Sequence, residues 1–317
     1  MSLPKASEEE FISLYRELQS AGEVAKRLGM ARTTVQRRRR FLEMKHGISL
    51  PQYDTRPRYN SAAIDQKAVA TYKIKNGRIL IGSDIHLWPG PLTACQRAFL
   101  IFAKEFKPDG VVVNGDVFDG ASIARWPSIG WEKKPTVQEE LEAVEDYLHR
   151  LYIASPNSSH FWPAGNHDLR FESRLAAAAP EYKGIKGIHL KDHIQGWTPC
   201  WRIDVNEDVV IKHRFKSGIH APHNNTLWAG KTIITGHLHS LKVMPISDYN
   251  GTRWGVDTGC LADPYSEPFI NYTEASPVSW RAGFVLLTFR NGRLLWPEII
   301  HKWDDDHVEF RGEIIGV

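Results

Sequence analysis

Apolar residues near the start of the chain recur three or four positions apart, the spacing that gathers side chains on one helix face. "EEEFISLYRELQS" carries Phe11, Leu14, Tyr15 and Leu18 in this way, "GEVAKRLG" ends at Gly29, and "RTTVQRRRRFLEMK" follows. The pattern predicts three short helices over residues 8–45. From about Lys45 to Asn76 the chain is rich in Pro, Tyr, Arg and polar residues with weak periodicity, and it reads as a linker. The rhythm then changes. Short apolar runs that stop at polar residues ("RILIGSD", "GVVVNGD", "SHFWPAGN", "DVVIKH", "KTIITGH") predict strands, with helical patterns at 93–106 and 136–154 between them. "WGVDTG", "GFVLLTF" and "RLLWPEI" continue the series. Strands alternating with helices predict an α/β sheet with some parallel pairing. The expected division is a small helical module at 1–46, a linker at 47–76 and a larger domain at 77–317.

A length of 317 residues leaves room for one large domain and a small one. No stretch approaches the roughly 18 apolar residues of a membrane span. The start, "MSLPKASEEE", lacks the basic-then-apolar order of a secretory leader. Cys95, Cys200 and Cys260 lie far apart, which argues against a disulfide framework or a cysteine zinc site. A cytoplasmic location is expected. Charge changes the picture more. Residues 26–45 hold eight Lys or Arg and one acid, a net +7, in a chain whose total is +3. A basic end on a mildly acidic body suggests a polyanion-binding module joined to something else.

In open α/β sheets, functional side chains gather beyond the carboxyl ends of the strands. Those positions supply Asp84 and His86 in "GSDIHLW", Asp116 and Asp119 in "NGDVFDG", and Asn166, His167 and Asp168 in "AGNHDLR". They also supply His213 in "VIKHRF" and His237 and His239 in "TGHLHS". Any one of these is an ordinary turn; five at consecutive strand ends are not. Carboxylates, an amide oxygen and imidazoles without thiolates suit manganese or iron, with zinc compatible.

In this order, D-x-H, G-D-x-x-D, G-N-H-D, a lone His and G-H-x-H resemble the five motifs of the calcineurin-like metallophosphoesterases, over roughly residues 77–300. The resemblance implies a metallophosphoesterase β-sandwich flanked by helices, with two divalent metal ions at the sheet ends. It assigns Asp84, His86 and His239 to the first metal, Asn166, His213 and His237 to the second, and Asp116 to both. Two such cations acidify a shared water, whose hydroxide attacks phosphorus while they clamp the phosphate oxygens. The resemblance further suggests that His167 assists the leaving oxygen and that Asp119 orients it. An acid partner favours the protonated imidazole. Three features depart from the family. Arg214 follows His213 where Gly is frequent, and His220 and His223 compete for the fourth-motif role. Gly120 stands where many phosphoprotein phosphatases have Arg. The loop 120–135, with Arg125, Trp126 and Trp131, either meets substrate or packs on the domain.

"GEVAKRLGMARTTVQRRR" resembles homeodomain-like helix-turn-helix modules, with Ala25, Gly29 and Val35 as small, turn and core residues. The second helix of such a unit enters the major groove. Here that predicts base contacts from Arg32, Thr33, Thr34, Gln36 and Arg37, and phosphate contacts from Arg38, Arg39 and Arg40. Arg38 occupies a position that is often apolar, and Phe41 is expected to close the core instead. The leading expectation is a metal-dependent phosphodiesterase acting on DNA, a domain order that resembles bacteriophage proteins. The alternatives are a phosphomonoesterase or small-nucleotide hydrolase, and a DNA-binding regulator with an inert phosphoesterase domain.

Overall fold

The computed structural model describes residues 6–18, 20–50, 67–125, 132–274 and 276–317. The chain divides into two units, Met1–Asn60 and Ser61–Val317. Trp126, Trp131 and linker positions 51–66 lie outside the described residues.

The first unit contains α1 (Glu8–Leu18), α2 (Ala21–Leu28) and α3 (Arg32–His46). Ser20 caps α2 by accepting from the Glu23 N–H, and Gly29, at φ 55°, ends it in the left-handed conformation that glycine adopts without strain. Phe11, Tyr15, Val24, Ala25, Val35 and Leu42 form the core. Glu8 lies 2.7 Å from Lys45 and 2.9 Å from His46, which ties the start of α1 to the end of α3. Two expectations need correction. Phe41 is 53% exposed, and Leu42 closes the core, because it lies two helical turns after Val35 on the same face. Arg38 and Arg39 turn onto their own unit rather than outward. The Arg38 guanidinium sits 4.8 Å over the Phe11 ring and donates to the Ala6 and Ser7 carbonyls. Arg39 lies 3.6 Å from Glu43 and over the Tyr15 ring. Arg32, Thr33, Thr34, Arg37 and Arg40 are exposed, and Gln36 is half-buried.

The second unit is a sheet flanked by helices. Its strands are β1 (Lys67–Tyr72), β2 (Gly77–Gly82), β3 (Gly110–Val113), β4 (Ser159–Pro163), β5 (Thr198–Val205), β6 (Val209–Ile211) and β7 (Thr232–Thr235). β8 (Lys242–Asp248), β9 (Gly251–Asp257), β10 (Gly283–Arg290), β11 (Arg293–Leu294), β12 (Glu298–Lys302), β13 (His307–Phe310) and β14 (Glu313–Gly316) complete it. The hydrogen-bonded order is β14-β13-β12-β10-β2-β3-β4-β5-β6-β7-β9-β8. The helices are α4 (Ala94–Phe106), α5 (Val137–Ala154), α6 (Asp168–Ala178), α7 (Ala221–Ala229) and α8 (Glu267–Thr273). Capping boxes at Thr93 with Gln96 and at Thr136 with Glu139 start α4 and α5.

Strand alternation sorts the core in two. Leu80, Val111, Val113 and Phe284 face Phe99 and Phe102 of α4 and Val144, Leu148 and Leu151 of α5. Ile79, Ile81, Val112 and Phe161 face the other way, joining Ile203, Val205, Ile211, Ile234, Val256, Val285 and Leu287 in a cluster whose buried members include no helical residue. The sheet therefore covers itself. The two layers of the sandwich are one continuous path of strands folded face to face.

The linker expectation is corrected at its end. Lys67–Tyr72 forms β1, which pairs in parallel with β5, Val69 opposite Arg202. Its signal is weak because Ala68 and Ala70 contribute little side chain, although Ala70 is buried. "RLLWPEI" divides into β11 and β12 around Trp296 and Pro297, since proline cannot donate to a ladder.

β4 carries a test of the packing. His160, 6% exposed, lies between the Tyr152 and Trp197 rings with Ser155 Oγ 3.0 Å from Nε2. Burial pushes its pKa down from 6.5 to about 4. Its neutral form stabilises the fold fully above 6.5, and that contribution is lost as pH falls toward 4. Relative to His160→Gln, the wild type should lose on the order of 3 kcal/mol over that interval. Denaturant titrations at several pH values check this; parallel curves would contradict it.

Candidate metal centre

Five strands end at one place. Asp84 and His86 follow β2, Asp116 and Asp119 follow β3, and Asn166 and His167 follow β4. His213 follows β6, and His237 and His239 follow β7. β2, β3 and β4 run parallel, as do β6 and β7, so their carboxyl ends lie together. The turns are strained. Asp84 (φ 51°), His86 (45°), Asp116 (52°), His237 (72°) and His239 (55°) all adopt left-handed backbone. Such conformations cost on the order of 1–3 kcal/mol each and concentrate where function holds them. Two motif glycines admit the close approach. A Cβ on Gly165 would lie 2.1 Å from Asp116 Oδ1, and one on Gly236 would lie 2.6 Å from Ser83 Oγ and 2.7 Å from Asp84 Oδ2.

Ligand-capable atoms of Asp84, His86 and His239 lie within 4.8 Å of one another, as do those of Asp116, His213 and His237. His86, Asp116 and His167 form a third such group. Asp84 Oδ2 accepts from the His237 N–H at 2.9 Å, and Asp116 Oδ1 accepts from the His167 N–H at 2.7 Å. The other oxygens turn inward: Asp84 Oδ1 is 3.0 Å from His239 Nε2, and Asp116 Oδ2 is 3.1 Å from His213 Nε2. His213 donates from Nδ1 to the Asn114 carbonyl at 2.7 Å, which directs Nε2 at the carboxylates. His220 and His223 join no such group among the described residues, so the structure brings His213 to the centre.

The donor set suits a cation. His86 Nε2 and Asn166 Oδ1 are buried without a hydrogen-bond partner among the described residues, and His213 Nε2 is buried against the Asp116 carboxylate. Leaving such atoms unpaired costs about 1–3 kcal/mol apiece. They converge with two buried carboxylates, and that combination fits divalent metal. The field agrees. Burial opposes charge on Asp84 and Asp116, yet the neighbouring histidines hold both well below the usual carboxylate range. Burial likewise opposes charge on His213, but Asp116 and Asp84 raise it to about 10.

Residues 77–253 match the family described as Calcineurin-like phosphoesterase. The chain belongs to the calcineurin-like phosphoesterases. It is 23% identical over 254 residues to the Gene 54 protein of Mycobacterium phage L5, covering 70% of this chain and 92% of that protein. The Gene 54 protein of Mycobacterium phage D29 is 22% identical over 252 residues, with the same coverage of 70% and 92%. Among solved structures, the zinc complex of Vps29 from Entamoeba histolytica is similar with a TM-score of 0.41 and 14% identity, covering 75% of this chain and 98% of that one. A serine/threonine phosphatase from Saccharomyces cerevisiae has a TM-score of 0.39 and 13% identity, covering 75% and 85%.

Around this phosphoesterase centre, Asp119 serves two histidines. Its Oδ1 accepts from His167 Nδ1 at 2.7 Å and lies 3.2 Å from His86 Nδ1, while Trp88 Nε1 donates to Oδ2 at 3.0 Å. Burial opposes protonation of His167, but the Asp119 hydrogen bond and the Asp116 charge raise its pKa overall. Arg170 works against them: its Nη2 lies 3.0 Å from His167 Nε2, and a guanidinium can only donate. Asp119 also accepts Arg170 Nη1 at its backbone carbonyl, 2.9 Å away.

The sequence singled out Asp168 among the strand-end residues without giving it a role, and other supporting residues escaped it. Asp168 accepts from the N–H groups of Asp116, Val117, Phe118 and Gly165 and from Trp162 Nε1, all within 3.1 Å. It welds the β3 and β4 loops together. Its only signal was the acid that follows "GNH". Asp257 binds the Ser240 and Gly259 N–H groups and so braces the turn carrying His237 and His239; burial pushes it up to about 6. Phe269 and Trp280 pack against the His239 ring, and Phe269 against His86. No spacing connects them to the motifs.

The raised His213 gives the centre a pH dependence. Up to about pH 10 a proton competes with a cation for Nε2, and this competition weakens as pH rises. Affinity for Mn²⁺ should therefore climb by up to about tenfold per pH unit between roughly pH 6 and 9, with proton release on binding. Calorimetry in buffers of different ionisation enthalpy measures both; a flat profile without proton release would contradict the account.

Proposed function

We propose that this chain is a dinuclear metal-dependent phosphodiesterase that cleaves DNA. Asp84, His86 and His239 would hold one cation, Asn166, His213 and His237 the second, and Asp116 both. The donor set suits Mn²⁺ first, with iron and zinc compatible. A cation pair in such a setting supplies polarised phosphoryl oxygens and an acidified water. The protein's own groups do the rest. Asp119 orients both His86 and His167 through their Nδ1 atoms, so ligand and proton donor move as one. His167 then carries a proton on Nε2 to the leaving oxygen, once substrate displaces the Arg170 contact. Arg170, freed from that contact, faces the departing charge.

The observation that carries the DNA reading is the helical unit on the same chain, with Arg32, Arg37 and Arg40 exposed on α3 beside Thr33, Thr34 and Gln36. Arginine bidentate to guanine and glutamine to adenine are the usual major-groove pairings. Arg38 and Arg39 are left out of the contact set, since they face Phe11 and Tyr15.

His167→Ala should keep metal content at the wild-type level and slow cleavage on the order of 10²–10⁴-fold. The deficit should shrink for a nitrophenyl diester, whose leaving group needs no proton. Elemental analysis showing a lost metal would instead make His167 a ligand. Removing residues 1–60 tests delivery. Small-diester turnover should persist, because every proposed ligand lies beyond residue 76. The slope of log affinity against log salt for duplex DNA should fall by about 0.9 for Arg40, and by as much again for each further exposed cation that meets a phosphate. An unchanged slope would remove DNA binding from the helical unit.

A further inference from the structure

A second basic segment lies inside the phosphoesterase unit. From Val209 to Ser247 the chain has five Lys or Arg and no Asp or Glu. His213 and His237 are within it. Lys212, Arg214 and Lys216 bracket His213, and none has a carboxylate partner among the described residues. Unpaired like charges held together beside a phosphoesterase centre are complementary to a polyanion.

Aromatic rings interleave these cations. Lys216 Nζ sits 3.4 Å from the Trp228 ring centroid, and Lys212 Nζ 5.0 Å from that of Phe215. Trp228 is 69% exposed and Phe215 40%. The arrangement is rigid. Buried Asn225 of α7 accepts from the Lys216 N–H at 3.1 Å and donates to the Lys216 carbonyl at 3.4 Å, clamping loop 214–220 to the helix that bears Trp228. The helix in turn lies so close to β9 that a Cβ on Gly255 would come 2.0 Å from the Pro222 carbonyl.

We propose that loop 214–220 and α7 form a platform for single-stranded polynucleotide, with bases stacked on Trp228 and Phe215 and phosphates led by Lys216 and Arg214 to the metal centre. This deepens the nuclease reading and rests on it. Exposed rings beside a tracking line of cations are how proteins hold single strands, because stacking needs an unpaired base. A duplex hides its base faces and would meet only the charges. The platform therefore assigns the enzyme unit to unpaired strands and leaves duplex contacts to the helical unit.

The test uses full-length, metal-loaded protein and a fluorescein-labelled oligothymidylate of about 16 nucleotides with phosphorothioate links that resist cleavage. Anisotropy is followed over a salt series. Trp228→Ala should weaken binding roughly 5- to 100-fold with the salt slope unchanged, the loss expected for stacking. Lys216→Gln should lower the slope by about 0.7, one phosphate contact on a single strand. Affinity for a duplex of the same length should stay within about twofold in Trp228→Ala, given that the duplex gains no stacking there. If both variants bind the oligonucleotide like the wild type while wild-type protein still cleaves DNA, the platform is wrong and the nuclease reading stands. If the wild type neither binds nor cleaves DNA, both fall. Tight binding to phosphatidylglycerol vesicles that both substitutions abolish, without an effect on the oligonucleotide, would make the patch a lipid surface and overturn the proposal.

Discussion

Two carboxylates, Asp84 and Asp116, are buried side by side, and the centre is built to make that tolerable. Like charges this close and this dry repel strongly, and each resists ionisation through burial alone. Cationic partners resolve the conflict. Histidines from β6 and β7 supply part of the charge, which is why His213 is driven so far above its ordinary value. Divalent cations would supply it without the proton and would also satisfy the orphaned atoms of His86 and Asn166. The left-handed turns at Asp84, His86, Asp116, His237 and His239 follow from the same demand, since each must aim a side chain at one small volume from a different strand.

Strain of this kind persists only where surrounding bonds over-determine it. Here the bracing comes from acids that are not themselves ligands. Asp168 gathers four backbone N–H groups and an indole from the β3 and β4 loops. Asp257 holds the β7 turn, and Glu140 accepts the Gly120 and Ala121 N–H groups directly after Asp119. Carboxylates are suited to this work because one group can accept several amides at once. The cost is visible in their own ionisation: burial raises Asp168, Asp257 and Glu140 above the ordinary carboxylate range.

The two units use arginine and lysine differently. In α3 some arginines are spent on their own fold, with Arg38 over Phe11 and Arg39 toward Glu43, while Arg32, Arg37 and Arg40 remain exposed. In the phosphoesterase unit, Lys212 and Lys216 lie over exposed rings. A run of like charge is therefore not a uniform surface. Which members face outward depends on helix phase and on the aromatic positions beneath them.

By itself the sequence determined the local chemistry. Helical and strand periodicity located the three N-terminal helices, α4, α5 and the strands that end in the motifs, because burial on one face leaves a regular imprint. The donor types also showed in it, because carboxylates, an amide and imidazoles suit a manganese or iron site wherever along the chain they come from. Tertiary structure decided what depends on distance in space. It placed His213, rather than His220 or His223, against Asp116, since His213 follows β6, which runs parallel beside β7. It turned the end of the expected linker into β1, whose small side chains gain their partner only when β5 lies alongside. It gave Asp168 five donors from two loops, a convergence that exists only once β3 and β4 are paired. Side-chain period is a property of one segment, whereas hydrogen-bond convergence and charge crowding are properties of several segments brought together, and no single segment records them.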